Sequence, residues 1–217
     1  MSDIFSEVDE EVRREQLKRL WDRWSGVIVA AAVLLVVGVG AWRGWQYLET
    51  KKAQEAGAAF ETALTLSQEG KHDEAAAAFA KIATDSPAGY RVLARFREAA
   101  ELTQRDPAAA VKAYDALAAD PGLGRTLQDL AAVRAGLILV DNTVPSEIQR
   151  RLEPMTAGDR PFRHTARELI ALSAWRAGEV ATARRWFDMI MTDTETPRGT
   201  RSRVEMLIAL ADAVGKG

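Results

Sequence analysis

Residues 69–87 read EGKHDEAAAAFAKIATDSP, and this short stretch has the spacing of a helical hairpin. Gly70 is placed to end one helix, because glycine readily adopts the left-handed conformation that closes many helices. Pro87 follows a second, alanine-rich run and would prevent that helix from continuing. The small Ala75 and the large Phe79 lie one turn apart, so two antiparallel helices can approach closely and then interlock. Such a hairpin cannot bury its apolar face alone, and we expect neighbouring hairpins to stack on it.

The pattern around Phe79 recurs along the chain. Large apolar residues follow one another at intervals of 35, 38 and 35 residues, namely Phe79, Tyr114, Leu152 and Phe187. Alanine lies four residues before three of these markers, whereas Ile148 takes that place in the third copy. Gly136 falls where the first helix of a hairpin often carries glycine for close packing. The sequence therefore predicts four hairpins, of which the third is degenerate.

The last segment, residues 196–217, predicts one further amphipathic helix that caps the stack. Its apolar residues at helical spacing are Val204, Leu207, Ile208 and Ala211. Strand-type alternation is absent beyond the apolar run near the N-terminus, so we expect an all-α fold. A generic alanine-rich helical bundle stays open as the alternative to a repeat solenoid.

Residues 21–47 read WDRWSGVIVAAAVLLVVGVGAWRGWQY and predict a single transmembrane helix at 24–46. No charged residue interrupts the 19 positions from Trp24 to Trp42. At about 1.5 Å per residue, such a helix is roughly as long as the hydrocarbon core of a bilayer is thick. The run follows a long, acidic leader and lacks the small-residue site of a cleavable signal, so we expect the anchor to be retained.

The positive charges on either side of the apolar run Trp24–Trp42 favour a cytoplasmic N-terminus. The N-terminal flank contains Arg13, Arg14, Lys18, Arg19 and Arg23, and the opposite flank contains Arg43, Lys51 and Lys52. The leader at 1–23 is predicted to be an amphipathic helix. It is either an extension of the anchor or a cytoplasmic docking or membrane-surface helix, and the sequence leaves both open.

Composition excludes several classes of function. The chain has 217 residues, a net charge of only −2 and no cysteine, so neither a nucleic-acid partner nor a thiolate site is indicated. His72 lies in a predicted turn between helices and His164 near a predicted helix start, and both are expected to be solvated. Phosphate-binding glycine motifs are absent from the sequence. We expect no enzymatic activity, no catalytic residues, no cofactor and no metal.

In a stack of this kind, the first helix of each hairpin lines the concave surface. The residues predicted to point into that groove are Phe60, Leu64, Arg95, Leu102, Val133, Leu137, Leu172 and Trp175. This set is largely apolar and suits an extended or helical polypeptide. The alternative for any one of them, especially Phe60, Leu137 and Trp175, is simple packing between repeats.

The spacing around Phe79, Tyr114 and Phe187 resembles tetratricopeptide repeats. The whole layout, including the opening MSDIFSEVDEEVRREQLKRLW, resembles the YfgM-like ancillary subunits of the bacterial SecYEG translocon. The resemblance implies an inner-membrane protein whose repeat domain lies in the periplasm near the translocon exit. It also implies partnership with the Sec translocon and with periplasmic chaperones or exported chains.

The sequence thus predicts a leader at 1–23, a transmembrane helix at 24–46 and a tetratricopeptide-like domain at 47–217. The function expected is non-enzymatic protein binding by a groove tethered to the membrane. The alternatives are an envelope division or assembly scaffold, a scaffold facing the cytoplasm, and a purely structural oligomerisation factor. The oligomeric state does not follow from the sequence.

Overall fold

A computed structural model describes the backbone of residues 3–214, with side chains described at positions 18, 21 and 23–210. The described residues form nine α-helices, two single-turn 3-10 helices and no strand, which confirms the all-α prediction. The α-helices are α1 (Asp3–Gln68), α2 (His72–Asp85), α3 (Ala88–Arg105), α4 (Pro107–Ala118), α5 (Gly124–Leu139), α6 (Pro145–Leu152), α7 (Arg163–Arg176), α8 (Val180–Thr192) and α9 (Arg198–Val214). The 3-10 helices are Pro121–Leu123 and Glu153–Met155. The chain divides into two compact units, Met1–Gln54 and Glu55–Gly217.

The first unit consists of the N-terminal part of α1. The backbone is helical from Asp3 and passes both predicted boundaries, at 23/24 and 46/47, without a break. From Arg23 onward, the helix is long and apolar enough to cross a membrane by length and composition. Its apolar side chains are exposed, Leu34 by 72%, as suits a helix surrounded by lipid. The side chains that would form the apolar face of the leader lie outside the described residues.

The second unit contains the predicted hairpins. The end of α1 packs with α2, α3 with α4, α5 with α6 and α7 with α8, and α9 packs on the last hairpin. The four hairpins and the terminal helix predicted from the sequence are therefore confirmed. Val204 of α9 is fully buried, with Leu207 and Ile208 packed against the same core, whereas Ala211 lies outside the described side chains.

Glycines end the first helices of hairpins one and four. Gly70 has a φ of +75° and Gly178 a φ of +80°, in the left-handed region that other residues avoid. After Gly70, the N–H of Lys71 donates to the C=O of Leu66 at 2.9 Å, which satisfies a carbonyl at the helix end. The same positive φ and the same type of backbone hydrogen bond after the glycine occur at Gly178. These closures turn the chain back so that the second helix can pack on the first.

The core consists of three clusters of buried side chains centred on the predicted markers. All four markers are buried, as predicted: Phe79, Tyr114, Leu152 and Phe187. In the third hairpin, Ile148 is also fully buried, so the larger residue is accommodated. A Cβ atom placed on Gly136 would lie 3.0 Å from Cδ1 of Leu152. Gly136 is therefore needed for close packing of α5 on α6, as predicted.

Polar contacts also recur at the repeat period and link neighbouring hairpins. The hydroxyl of Ser67 donates to Oε1 of Glu101 at 2.6 Å, 34 residues away. Nδ1 of His72 lies 2.7 Å from Oε2 of the same carboxylate. Between the last hairpin and α9, Nη2 of Arg203 donates to Oε2 of Glu168 at 2.8 Å, 35 residues away. The first two hairpins, and the last hairpin and α9, are thus joined by hydrogen bonds as well as by apolar packing.

The prediction that both histidines are solvated is wrong for His164. Its side chain is buried, and its Nδ1 lies 3.1 Å from the hydroxyl oxygen of Thr196, which precedes α9. The segment between α8 and α9 covers the start of α7, and this tertiary contact is not encoded near His164 in the sequence. His72 is partly exposed and interacts with the carboxylate of Glu101.

Candidate protein-binding surface

The first helices of the four hairpins can be aligned on small residues at the helix crossings. These residues recur every 35 to 37 positions and are all buried: Ala63, Ala99, Gly136 and Ala171. Small side chains at such a point allow the backbone of the second helix to approach closely. Positions counted from these residues are equivalent in the four hairpins and can be compared directly.

In the first hairpin, the two predicted groove residues pack inside the domain. Phe60 is partly buried, and its ring lies 5.2 Å from the ring of Phe79 and 6.0 Å from that of Tyr90. Leu64 is also partly buried and packs against the same cluster. Edge-to-face aromatic pairs of this kind stabilise the hairpin core. Phe60 therefore packs against this core, and its role in a groove stays a prediction.

In the second hairpin, Arg95 is engaged within the chain. Its Nη1 donates to Oδ2 of Asp120 at 2.6 Å, and this hydrogen bond, with one from the N–H of Gly122, lowers the pKa of the Asp120 carboxyl. Leu102 is partly buried. Arg95 therefore links α3 to the segment that follows α4, and its positive charge is already paired with a carboxylate within the chain.

In the third hairpin, the two predicted residues differ in exposure. Val133 is only 3% exposed and belongs to the core, so it offers no surface to a ligand. Leu137, one turn further along α5, is 46% exposed. Of the eight predicted residues, Leu137 alone has a largely exposed side chain.

The two predicted residues of the fourth hairpin pack against the largest core cluster. Leu172 and Trp175 are partly buried there, and the ring of Trp175 lies 6.0 Å from that of Phe187 in an edge-to-face arrangement. The structure thus gives Trp175 a packing role, as it does Phe60.

The alignment identifies exposed residues that sequence reasoning missed. Arg97 and Arg134 both lie two positions before the small residue of their helix, and both are exposed. Leu93, one turn before Arg97 on α3, is 54% exposed. Alignment on the small residues, rather than on the aromatic markers of the second helices, would have located them. We call the set Leu93, Arg97, Arg134 and Leu137 the arginine face.

The side chain of Tyr114 interacts electrostatically with both arginines. Burial raises the pKa of its phenol, and the positive charges of Arg134 and Arg97 partly offset that increase. Its ring also lies 6.3 Å from that of Phe96, which precedes Arg97 on α3. Residues of α3, α4 and α5 share one core cluster here. The arginine face is therefore built over a packed core and not on a loop.

The described residues contain no group of three or more His, Asp or Glu side chains placed to hold a metal ion. A shallow depression of about 370 Å³ lies at the tip of the first hairpin, lined by Gly70, Lys71, His72, Asp73, Glu74, Gln104 and Arg105. Several of its charges are paired within the chain, for example Arg105 with Asp73 at 2.6 Å.

Comparison with known proteins agrees with this architecture. The model of the tetratricopeptide repeat-like domain family matches residues 18–209. A curated relative, the ancillary SecYEG translocon subunit of Haemophilus influenzae, is 25% identical over 131 residues, which cover 60% of this chain and 64% of the relative. The predicted resemblance to ancillary translocon subunits is thereby confirmed. No solved structure matches the chain.

Proposed function

The chain belongs to the tetratricopeptide repeat-like domain family, and on that premise we propose that it is a non-enzymatic ancillary subunit of a Sec translocon. The observation that supports this most strongly is the 131-residue match to an ancillary SecYEG translocon subunit. Families built from helical hairpins of this kind present extended surfaces for protein binding. The repeat domain would accordingly contact translocon subunits, exported chains or periplasmic chaperones.

The proposed topology has the leader at 1–23 in the cytoplasm, the span at 24–46 in the inner membrane and the repeat domain at 47–217 in the periplasm. Five Lys or Arg residues in the leader, against three after the apolar run that ends at Trp42, support this orientation. Trp21 and Trp24 before the apolar run, and Trp42, Trp45 and Tyr47 after it, suit the two interfaces.

The proposed mechanism of binding is tethering of the repeat domain to the membrane. A domain held at the membrane near the translocon meets emerging polypeptides at a high effective concentration, so weak contacts suffice. The contacts themselves would come from exposed side chains of the first helices, of which Leu137 is one. Weak contacts also allow release, which a protein that handles many different exported chains requires.

Copurification tests the proposal. The full chain, tagged at its C-terminus and expressed in a Gram-negative host, is extracted in a mild detergent and probed for the SecY subunit. We expect SecY to copurify, and an unrelated single-span inner-membrane protein with the same tag provides the control. Absence of SecY, with division or envelope-assembly proteins recovered instead, would overturn the translocon assignment.

A further inference from the structure

We propose that the C-terminal end of the anchor holds a binding site for an anionic phospholipid. The lipid phosphate would be held by the side chains of Arg43, Tyr47 and Lys51, which we call the basic row. Gly40 and Gly44, on the same face of α1, would leave room for the lipid beside the helix. The site belongs to the anchor and is separate from the protein-binding surface of the repeat domain.

The three residues of the basic row lie on one face of a continuous helix. The backbone of α1 is helical from Asp3 to Gln68. With about 3.6 residues per turn, residues four apart in the sequence differ by only about 40° around the helix axis. A rise of about 1.5 Å per residue places the Cα atoms of Arg43 and Lys51 about 12 Å apart along the axis, with Tyr47 midway. A ligand at the level of Tyr47 can therefore be reached from both ends of the row.

The polar groups of the basic row have no partner within the part of the chain whose side chains the structure describes. All three side chains are exposed, that of Tyr47 by 69%. None of them makes an ion pair or a hydrogen bond with a described residue. Glu49 lies about 160° around the helix from Tyr47, on the opposite side. Glu55 lies one turn beyond Lys51 on the side away from the span and is not paired with it.

The row would lie at the depth of the lipid headgroups. Arg43 directly follows the apolar run, and the headgroup region adds roughly 5–8 Å to each side of the hydrocarbon core. Helical side chains lean towards the N-terminus, so the ammonium group of Lys51 points back towards the span. The long stems of arginine and lysine let their charged ends settle at headgroup level, where tyrosine is also favoured. The three polar groups can therefore converge on one phosphate.

Glycines on the same face leave space for a lipid beside the basic row. Gly40 and Gly44 lie within about 60° of Tyr47 around the helix axis. Nothing lies within 4 Å of a Cβ atom placed at either glycine. The bulky Trp42 and Trp45 lie on the other side of α1, about 140° and about 160° from Tyr47. A lipid can thus approach the backbone more closely on the glycine face than on the tryptophan face.

The charge of this face favours an anionic lipid over a second copy of the chain. Two anchors packed in parallel through Gly40 and Gly44 would bring two Arg43 side chains together, and like charges repel strongly where water is scarce. A phosphate between Arg43 and Lys51 is instead attracted by both, through charge-assisted hydrogen bonds. In a zwitterionic lipid, the cationic part of the headgroup would be repelled by the same two residues. Anionic phospholipid is therefore the ligand class that fits.

Native mass spectrometry of the full chain in detergent tests the inference. Phosphatidylglycerol and phosphatidylcholine with identical acyl chains are the two probes. The protein carries R13Q/R14Q/K18Q/R19Q/R23Q throughout, so that the bases of the leader do not bind lipid. We expect the first phosphatidylglycerol to bind about tenfold more tightly than phosphatidylcholine, as charge-assisted contacts to two cations predict.

Matched variants assign the preference to the basic row. R43Q/K51Q should abolish it. K52Q/K81Q also removes two exposed positive charges and should keep it, because Lys81 is in the repeat domain and Lys52 lies about 140° from Tyr47. Since the side chains of Arg43 and Lys51 are exposed and have no described partner, R43Q/K51Q should leave the fold unchanged, as circular dichroism can check.

Two further measurements separate a lipid site from a general attraction between charges. Gly44→Leu keeps every charge but fills the space beside the row, and it should weaken the binding of phosphatidylglycerol several-fold. Inorganic phosphate in excess should not displace the lipid, because it lacks the acyl chains that lie along α1. Wild-type binding by Gly44→Leu, or displacement by phosphate, would overturn the lipid site.

The outcomes are independent of the proposed function. If the two lipids bind equally well, or if R43Q/K51Q keeps the preference, the anionic-lipid site is wrong. Copurification of SecY is measured on a separate sample and can succeed or fail in either case.

Discussion

At the residue scale, Gly136 shows how one small side chain sets the packing of a hairpin. Leu152 fills the space that a Cβ atom at this position would enter, and Leu152 is itself fully buried. A buried leucine has little freedom to move away, because interiors are close-packed. The helix crossing in the third hairpin is thus determined by a glycine and a leucine acting together.

Gly136→Val should therefore destabilise the domain by about 1–3 kcal/mol, the usual cost of overpacking a core. Gly89→Val is the matched control, since nothing lies within 4 Å of a Cβ atom at Gly89 on α3. Denaturant unfolding of the full chain in detergent, followed by circular dichroism, gives both values. Equal stability of the two variants would contradict the packing explanation.

The buried imidazole of His164 should make the stability of the domain depend on pH. Burial lowers the pKa of its imidazole, with the positive charges of Arg163 and Arg167 contributing and the Asp193 and Glu195 carboxylates opposing. The unfolded chain therefore takes up the proton at a higher pH than the folded chain does. The contribution of His164 to the free energy of unfolding is fully present above the pKa of the unfolded chain. It is lost as the pH drops towards the lower pKa of the folded chain.

We expect His164→Asn to weaken this dependence, because an amide can keep the hydrogen bond with Thr196 and does not titrate. The measurement is the difference in unfolding free energy between about pH 7.5 and about pH 5.5. It should be smaller in the variant than in the wild type. An unchanged difference would show that other groups dominate the pH dependence.

At the element scale, local signals determined the helices and their ends. Gly70 and Pro87 flank α2 and mark its two ends, because their effect on the backbone is limited to a few residues. The markers recur because each hairpin must bury one of them. The position of the exposed face was harder to predict. The markers on the second helices are spaced by 35, 38 and 35 residues, whereas the small residues of the first helices are spaced by 36, 37 and 35. Positions counted from the markers are therefore not equivalent along the first helices. The burial of His164 depends on a contact 32 residues away, which no local pattern contains.

The helix ends provide a prediction at this scale. Gly70→Ala and Gly178→Ala should each cost roughly 1–2 kcal/mol, because a Cβ atom is unfavourable at positive φ. Both glycines have open space around them, so the cost is conformational and not steric. Gly158→Ala, at a glycine with open space and no positive φ, should be close to neutral. Thermal unfolding of the three variants compares them, and a neutral Gly70→Ala would refute the role assigned to the helix closure.

At the scale of the whole molecule, the proposed topology rests on the distribution of positive charge around the span. Replacing the five leader bases by glutamine (R13Q/R14Q/K18Q/R19Q/R23Q) should increase the fraction of chains with the repeat domain in the cytoplasm. R43Q/K51Q/K52Q removes positive charge from the opposite flank and should leave the orientation unchanged. Accessibility of the repeat domain to external protease measures the orientation of both variants. An unchanged orientation of the variant without leader bases would show that these bases do not control topology.

The side of the membrane on which the repeat domain lies determines every partner proposed for it. Protease accessibility in intact spheroplasts tests this most directly, with a C-terminal tag detected by blotting and lysed cells as the control. A retained anchor and a periplasmic domain predict that external protease removes the tag from the membrane-bound, full-length chain before lysis. A tag that survives until the cells are lysed would contradict the account and place the domain in the cytoplasm.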